Sequence, residues 1–255
     1  MKGDKIFGIN PVIEALRSGR RIERLLLVLE RRTDRHAAEI IRLAEGRNIK
    51  VSFVSRGELD RTAGGVVHQG VAAFASSRGY ASLDDILARP SEKNEPGLFL
   101  VLDGVEDPRN LGAIIRTAEA AGVHGVVIPE RRSAGLSEAA VKAAAGAVEY
   151  LPVARVVNIS RALEEFKKAG VWVVGAEAGA GRVFWDADFS VPSAIVVGGE
   201  GKGTRRLVLE KCDYIVSLPL MGKISSLNVS VAAGVLLYEA LRQRGVGRSG
   251  KAGNF

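Results

Sequence analysis

Five short runs of almost uninterrupted apolar residues constrain the fold more than any other feature of this sequence. Each run has the length of a strand. Stretches that predict helices lie between most of them, at about 110–121, 137–148, 160–169 and 204–211. Strands that are apolar on both faces are typical of a parallel sheet covered by helices on both sides. The runs are LFLVL (98–102), GVVI (125–128), VWVVGA (171–176), AIVVGG (194–199) and YIVSLPL (214–220). The pattern therefore predicts an α/β domain with a parallel sheet.

The first third of the chain is organised differently and indicates a smaller α/β lobe. Apolar runs at 24–29, 51–54 and 71–75 predict strands, and residues 33–45 have helical spacing. Asn10 followed by Pro11 predicts the start of another helix. A polar stretch rich in charge, proline and glycine follows, which is typical of a linker. We therefore predict a lobe over 1–76, a linker over 77–97, a larger domain over 98–244 and a flexible tail over 245–255.

The cysteine and histidine content excludes several kinds of site. With one Cys and three His, the chain has neither a disulfide framework nor enough ligands for a Cys/His zinc site, so we expect no metal. No apolar run reaches the roughly 20 residues that cross a bilayer. Asp4, Asn10 and Glu14 lie where a signal peptide needs an apolar core. We expect a cytoplasmic protein with no membrane partner.

The positive charge is concentrated in the first lobe. The chain has a net charge of +7, and residues 1–80 account for +6 of it, with 15 Lys and Arg against nine Asp and Glu. Arginine suits phosphate oxygens, so an arginine-rich lobe indicates a nucleic-acid contact, although a solvated surface that aids solubility explains the charge equally well. The candidate RNA-binding residues cluster around one predicted strand: Arg20, Arg21, Arg24, Arg31, Arg32 and Arg35.

Ligands of such α/β domains bind beyond the carboxyl ends of the strands, which directs attention to three unusual loops. The first, DGVEDPRNLGAIIRTA, puts Gly112 and Arg116 one turn apart on one face of a helix. A glycine beside an arginine leaves room for a substrate to reach the cation. A surface arginine on an amphipathic helix is the plainer interpretation.

The other two loops follow the fourth and fifth apolar runs. In GGEGKGT, Gly203 occupies the position where a Walker loop needs Ser or Thr, and Glu200 would repel phosphates, so a cationic or neutral ligand fits better. A plain glycine turn is the alternative. The third loop, MGKISSLNVS, has three hydroxyls and an amide at the start of an apolar helix, which is more than capping requires.

Together these three segments resemble the ordered motifs of the SpoU (TrmH-type) RNA ribose methyltransferases. The segments are DGVEDPRNLGAIIRTAEAAGV, VVGGEGKGTRRLVLEKCDYIVSLPL and MGKISSLNVSVAAGVLLYEALRQR. The first lobe, with FGINPVIEAL near its start and GVVHQGVAA near its end, is similar to the substrate-binding domain of the RlmB-like branch. That branch methylates a guanosine 2′-hydroxyl in large-subunit (23S) ribosomal RNA.

The resemblance implies a fold, a cofactor and a set of functional residues. Family members have an α/β trefoil knot that holds S-adenosylmethionine. Carried over position by position, cofactor binding falls on Gly198, Gly199, Glu200, Gly201, Leu218, Leu220, Leu227 and Asn228. The residues implied in the reaction are Asn110, Arg116, Glu200, Ser226 and Asn228. Family members pair through their knotted domains, so the resemblance also implies a homodimer.

The residue types agree with methyl transfer to a ribose hydroxyl, which depends on alignment and on removal of the hydroxyl proton. Arginine is a poor general base. We therefore expect Arg116 to bind an RNA phosphate and stabilise the developing 2′-alkoxide, with the proton passing to phosphate, Glu200 or water. We expect His124 to be a strand-edge residue. Cys212, the candidate nucleophile for methylating a base, lacks an activating setting, and we expect a core thiol.

Two other functions remain open at this point. Some SpoU enzymes act on transfer RNA, and the first lobe is what favours ribosomal RNA. A catalytically silent RNA-binding assembly factor is the third hypothesis, against which the intact Arg116, Glu200 and Asn228 argue.

Overall fold

The computed structural model describes residues 3–76, 79–201, 203–223 and 226–245. The chain divides into two compact units. The first comprises Met1–Gly79 with Leu136–Tyr150, and the second comprises Tyr80–Gly135 with Leu151–Phe255. The division differs from the predicted boundaries, because a segment from the middle of the chain belongs to the first unit. All of the predicted tail, 245–255, except Gly245 lies outside the described residues.

Strands and helices alternate along most of the chain. The strands are β1 (Asp4–Phe7), β2 (Ile22–Val28), β3 (Val51–Val54), β4 (Val71–Ala75), β5 (Leu98–Asp103), β6 (Gly125–Pro129), β7 (Val153–Val156), β8 (Trp172–Ala176), β9 (Arg182–Val183), β10 (Ser193–Gly198) and β11 (Tyr214–Ser217). The helices are α1 (Ile9–Arg17), α2 (Arg35–Glu45), α3 (Arg56–Ala63), α4 (Leu83–Lys93), α5 (Pro108–Ala120), α6 (Glu138–Ala143), α7 (Ile159–Lys168), α8 (Arg206–Leu209) and α9 (Val229–Gln243).

The first unit is built on a four-stranded sheet in the order β1-β4-β2-β3. β4 pairs antiparallel with β1 and β2, whereas β2 and β3 run parallel. Apolar residues of α1 and α2 pack on one face of the sheet, and those of α3 pack on the other. The small α/β lobe is therefore confirmed, with one strand, β1, that the sequence pattern did not predict.

Two contacts in the first unit explain departures from the predicted elements. α1 begins at Ile9 rather than after Asn10, because the Gln69 side chain accepts a hydrogen bond from the Ile9 N–H at 3.0 Å. The helix predicted over 137–148 ends at Ala143. Gly146 then takes a left-handed conformation at φ 101°, where an added Cβ would lie 2.5 Å from the Glu14 side chain. Close packing against α1 therefore overrides helical propensity here.

The second unit contains a seven-stranded sheet in the order β7-β6-β5-β10-β8-β11-β9. Every neighbouring pair of strands in it is parallel. The central strands β5 and β10 are almost completely buried, as their continuous apolar sequences require. The predicted α/β class is confirmed. Within the described ranges, no helix is long and apolar enough to cross a membrane.

The stretch predicted as a linker, 77–97, contains the helix α4. The Ser82 hydroxyl and the Asp85 carboxylate form a capping box at its start. Ile86 is fully buried against β6, where an added Cβ on Gly125 would lie 2.3 Å from it. Pro90, whose presence suggested a break, is tolerated near the end of the helix. The residues from Tyr80 onward are thus part of the second unit rather than a free linker.

Candidate active site

A cavity of 820 Å³ lies beyond the carboxyl ends of β8, β10 and β11. We call it the first cavity. All eight residues predicted to bind the cofactor line it, and so does Ser226: Gly198, Gly199, Glu200, Gly201, Leu218, Leu220, Leu227 and Asn228. Two segments far apart in sequence, the glycine loop after β10 and the loop before α9, therefore meet at one place.

The glycine loop after β10 is folded so tightly that side chains are excluded from it. An added Cβ on Gly199 would lie 1.9 Å from the carbonyl oxygen of Gly104, and one on Gly198 would lie 2.1 Å from the backbone of Gly203. The Gly203 N–H donates to the Gly199 carbonyl at 3.1 Å, which closes the loop. Gly198 and Gly199 thus serve the close approach of the loop to other backbone segments.

Two carboxylates that the sequence reading missed hold this loop in place. Asp103 is buried at the end of β5 and accepts from the Arg205 backbone N–H at 2.9 Å and from its guanidinium Nε at 2.8 Å. The side-chain hydrogen bond to Asp103, together with the Asp103 negative charge, raises the pKa of Arg205. Glu177 accepts from the Thr204 N–H at 3.2 Å. The one available signal for Asp103 was an acidic residue directly after a wholly apolar strand.

Asn110, Glu200 and Asn228 form a hydrogen-bonded triangle, which we call the polar triangle. The Asn110 amide donates to Glu200 Oε1 at 2.5 Å. The Asn228 amide donates to the same oxygen at 3.1 Å and to Asn110 Oδ1 at 3.2 Å. Asn228 also caps α9, because its Oδ1 accepts from the Ser230 N–H at 2.9 Å. Three of the five residues predicted for the reaction are therefore in direct contact.

The first cavity has the chemistry that S-adenosylmethionine requires. Glu177 and Glu200 supply carboxylates to a ligand with a positively charged sulfonium, and Leu218, Leu220 and Leu227 supply apolar surface to an adenine ring. Gly201 has φ 78° and open space where a side chain would be, so its backbone leaves room for a ligand. The residues present therefore fit the cofactor.

Arg116, like Asn110, is a predicted reaction residue that does not line the first cavity, and unlike Asn110 it takes no part in the polar triangle. Arg116 is set apart from the other predicted residues in this way. It lies on α5 with an exposed side chain, while Leu111, Ile115 and Ala118 of the same helix are buried. It has no hydrogen bond or ion pair with any other described residue. The Arg116 guanidinium is thus available to bind a group from another molecule.

Cys212 and His124 have structural roles. Burial raises the pKa of the Cys212 thiol to about 12, so this group is protonated at neutral pH and is no nucleophile. His124 is buried, its Nδ1 accepts from the Leu98 N–H at 3.1 Å, and burial lowers its pKa. In the described part of the chain, no three His, Cys, Asp or Glu side chains are placed to hold a metal ion.

The six arginines predicted to bind RNA differ in how free they are. The prediction that Arg20 contacts RNA needs correction. Its side chain is only 7% exposed and forms ion pairs with Glu149, at 2.9 Å, and with Asp4. Sequence charge cannot reveal such internal pairing.

The other five arginines remain at the surface of the first unit to different degrees. Arg31 is partly exposed and pairs with Asp34 at 3.0 Å. Arg24 stacks 4.5 Å from the Phe74 ring centre and Arg32 stacks 5.4 Å from that of Phe53, both with exposed side chains. Arg21 and Arg35 are also exposed.

Comparison with known proteins agrees with the geometry. The model of the SpoU rRNA methylase family matches residues 97–238, and a second model, described as RNA 2′-O ribose methyltransferase substrate binding, matches residues 5–81. The Bacillus subtilis (strain 168) protein YacO, assigned to the TrmH family of tRNA/rRNA methyltransferases, is 48% identical over 94% of this chain and 96% of its own length.

Solved structures give the same assignment. The SpoU methyltransferase AviRb from Streptomyces viridochromogenes, in complex with AdoMet, covers 95% of this chain and 91% of its own, with 27% identity and a TM-score of 0.79. An AdoMet-bound rRNA methyltransferase from Sinorhizobium meliloti covers 94% of this chain and 87% of its own, at 28% identity and a TM-score of 0.75.

A third solved structure is shorter. The TrmH/SpoU tRNA modifying enzyme of A. aeolicus covers 64% of this chain and 84% of its own, at 33% identity and a TM-score of 0.54. The resemblance of the three sequence motifs to one family is confirmed. The chain belongs to the SpoU family of RNA methyltransferases, whose cofactor is S-adenosylmethionine.

Proposed function

We propose that this protein methylates the ribose 2′-hydroxyl of a guanosine in large-subunit (23S) ribosomal RNA. The observation that carries the choice of RNA is the extent of the chain that each relative covers. The Sinorhizobium meliloti rRNA methyltransferase covers 94% of this chain, whereas the A. aeolicus tRNA enzyme covers 64%. A chain with a separate substrate-binding unit over residues 5–81 therefore favours ribosomal RNA.

The polar triangle is the group that we assign to the ribose. When bound, S-adenosylmethionine would supply the methyl group and leave as S-adenosylhomocysteine once its sulfur–methyl bond breaks, while the ribose 2′-oxygen gains the methyl group and loses its proton. Glu200 and Asn228 line the first cavity, and Asn110 is hydrogen-bonded to both of them. The three side chains can orient the hydroxyl, because each presents a polar atom at one point. Glu200 or an RNA phosphate takes the proton, and Arg116 stabilises the developing alkoxide. Ser226 lines the same cavity, and its hydroxyl group hydrogen-bonds to the substrate.

We further infer that the protein is a homodimer and that its larger unit is knotted, as in its family. Support for the dimer comes from α9, which leaves an apolar stripe exposed at helical spacing. Val231, Val235 and Tyr238 are 50%, 36% and 53% exposed. Exposed apolar residues in a continuous stripe mark interaction surfaces. Arg116 lies on α5, which packs against α9, so a partner on this stripe would also approach the free guanidinium.

The test is a methyl-transfer assay on defined RNAs. The purified full-length protein is incubated with labelled S-adenosylmethionine and either unmodified large-subunit ribosomal RNA or unmodified transfer RNA, each made by transcription. We expect label in ribosomal RNA alone, in a ribose that resists alkaline cleavage. The Glu200→Gln variant serves as the control for contaminating activity. Label in transfer RNA alone would select the alternative substrate.

The assay also tests whether the protein is a catalytically silent RNA-binding assembly factor. A silent assembly factor would bind RNA but transfer no methyl group to either RNA. Ribose-methylation mapping of ribosomal RNA from a strain that lacks the gene would show whether the same position loses its methyl group in cells.

A further inference from the structure

A second cavity, of 590 Å³, lies at the carboxyl ends of the neighbouring strands β6, β5 and β10. It shares Gly199, Glu200 and Gly203 with the first cavity, and Asn110 forms part of its wall. Its volume falls within the roughly 300–1,000 Å³ of small-molecule sites. A ligand in this second cavity would therefore contact two members of the polar triangle while bordering the cofactor site.

The charges in the second cavity are distributed unevenly. Asp103 is committed to Arg205, and Asp107 caps α5 by accepting from the Arg109 N–H at 2.7 Å. Arg131 and Arg132 are exposed, and neither has a hydrogen bond or an ion pair with any other described residue. Two adjacent unpaired guanidinium groups are suited to phosphate oxygens.

The backbone around these arginines is held in an uncommon conformation. Arg132 has φ 57°, in the left-handed region that favours glycine. Its loop is attached to the loop after β5, because the Ala134 N–H donates to the Val105 carbonyl at 2.8 Å. An arginine where glycine would be less strained suggests that the side chain itself is needed.

We propose that the second cavity receives the target nucleotide of the RNA, and that Arg131 and Arg132 bind the phosphate groups that flank it. The inference rests on the proposed function, since it names where that RNA is bound. The nucleotide must leave its base stack to enter such a cavity. Its ribose then reaches Asn110 and Glu200, and the exposed carboxylate of Glu106 accepts from N–H groups of the base.

The test measures the kinetics of RNA methylation by two full-length variants, Arg131→Ala and Arg132→Gly, and compares them with those of the parent protein on the same RNA. Each variant loses one phosphate contact, so we expect the KM for RNA to rise roughly tenfold with little change in kcat. The slope of RNA affinity against salt should fall by about one unit for each variant. Affinity for S-adenosylmethionine should not change. Arg132→Gly should not lower Tm, because glycine relieves the left-handed backbone.

Lys168→Ala is the matched control, because it also removes one exposed positive charge. Lys168 lies near the amino end of β8, whereas the second cavity lies at the carboxyl ends of the strands. Its KM for RNA should stay within about twofold of the parent, as expected for a surface charge outside the contact. If the parent methylates RNA and both arginine variants match it in KM and salt slope, the second cavity does not bind the nucleotide and the proposed function stands. If the parent transfers no methyl group to any RNA, the proposed function fails and this inference fails with it.

Discussion

Asp103 and Arg205, which are 102 residues apart in sequence, form a forked ion pair at the end of β5. The Asp103 side chain is 1% exposed and that of Arg205 is 54% exposed. Arg205 directly follows the glycine loop, whose Gly199 N–H also donates to the Asp103 carbonyl at 2.8 Å. One carboxylate residue thus fixes the loop that lines both cavities.

Arg205→Ala should destabilise the protein by about 2 kcal/mol, since it leaves the buried Asp103 carboxylate without its charged partner. Urea denaturation measures the loss. The matched control is Arg206→Ala, which removes an exposed pair with Glu210 and should cost under about 0.5 kcal/mol. Equal losses from the two variants would show that the Asp103 pair has no special role.

Gly199→Ala should lower the affinity for S-adenosylmethionine by more than about tenfold. The added Cβ would meet the Gly104 carbonyl oxygen at 1.9 Å, so the loop must shift at the cavity wall. Gly181→Ala is the control, because a Cβ there meets nothing within 4 Å. The measurement is calorimetric titration of both full-length variants with the cofactor. Unchanged binding by Gly199→Ala would show that the glycine loop does not hold S-adenosylmethionine.

Arg116→Ala should reduce the single-turnover rate of methyl transfer about 10²–10³-fold, as expected for loss of a charge that stabilises an oxyanion. Cofactor affinity should stay the same, since Arg116 does not line the first cavity. Arg116→Lys, which keeps the charge but not the fork, should recover part of the rate. Normal turnover by Arg116→Ala would leave Arg116 as a plain surface residue.

Val235→Glu should convert the proposed homodimer into a monomer, because it places a charge in the middle of the exposed stripe on α9. Light scattering should give about twice the chain mass of 27.1 kDa for the parent and the chain mass for the variant. Val157→Glu is the control, since Val157 is 84% exposed and lies outside the stripe. A monomeric parent at micromolar concentration would exclude the dimer.

The sequence was most informative where apolar pattern and chain order decide the structure. β5 and β10 were predictable because burial on both faces demands continuous apolar residues. β7 was missed because it is a four-residue edge strand in which the Arg155 side chain is exposed. Helix α4 was missed because proline, charge and glycine concealed the single buried anchor Ile86.

The site was predictable to the extent that it is made of loops at strand ends. The glycine loop and the residues around Asn228 were found because of that rule and the family resemblance. Asp103 and Arg205 were not, because their partnership is a contact between distant segments that no local pattern records. The pairing of Arg20 with Glu149 was hidden for the same reason.

The contrast between Arg20 and Arg35 gives the test of how the first unit binds RNA. Arg35 is exposed at the start of α2 and has no ion pair with any other described residue. Arg35→Ala should lower the slope of RNA affinity against salt by about one unit and leave stability unchanged. Arg20→Ala should instead destabilise the protein by about 2–3 kcal/mol, because it removes the guanidinium that pairs with the buried Glu149 carboxylate.

Two measurements separate the effects of Arg20 and Arg35: filter binding of ribosomal RNA at several salt concentrations, and urea denaturation of each variant. For Arg20→Ala, the salt slope should stay within the error of the parent, since a guanidinium that is 7% exposed and doubly paired releases no counterions from RNA. If Arg35→Ala left the slope unchanged while the parent bound RNA, the charge of the first unit would serve solubility. If Arg20→Ala reduced the slope by a full unit at unchanged stability, the result would show that the ion pairs of Arg20 open when RNA binds and that Arg20 contacts a phosphate.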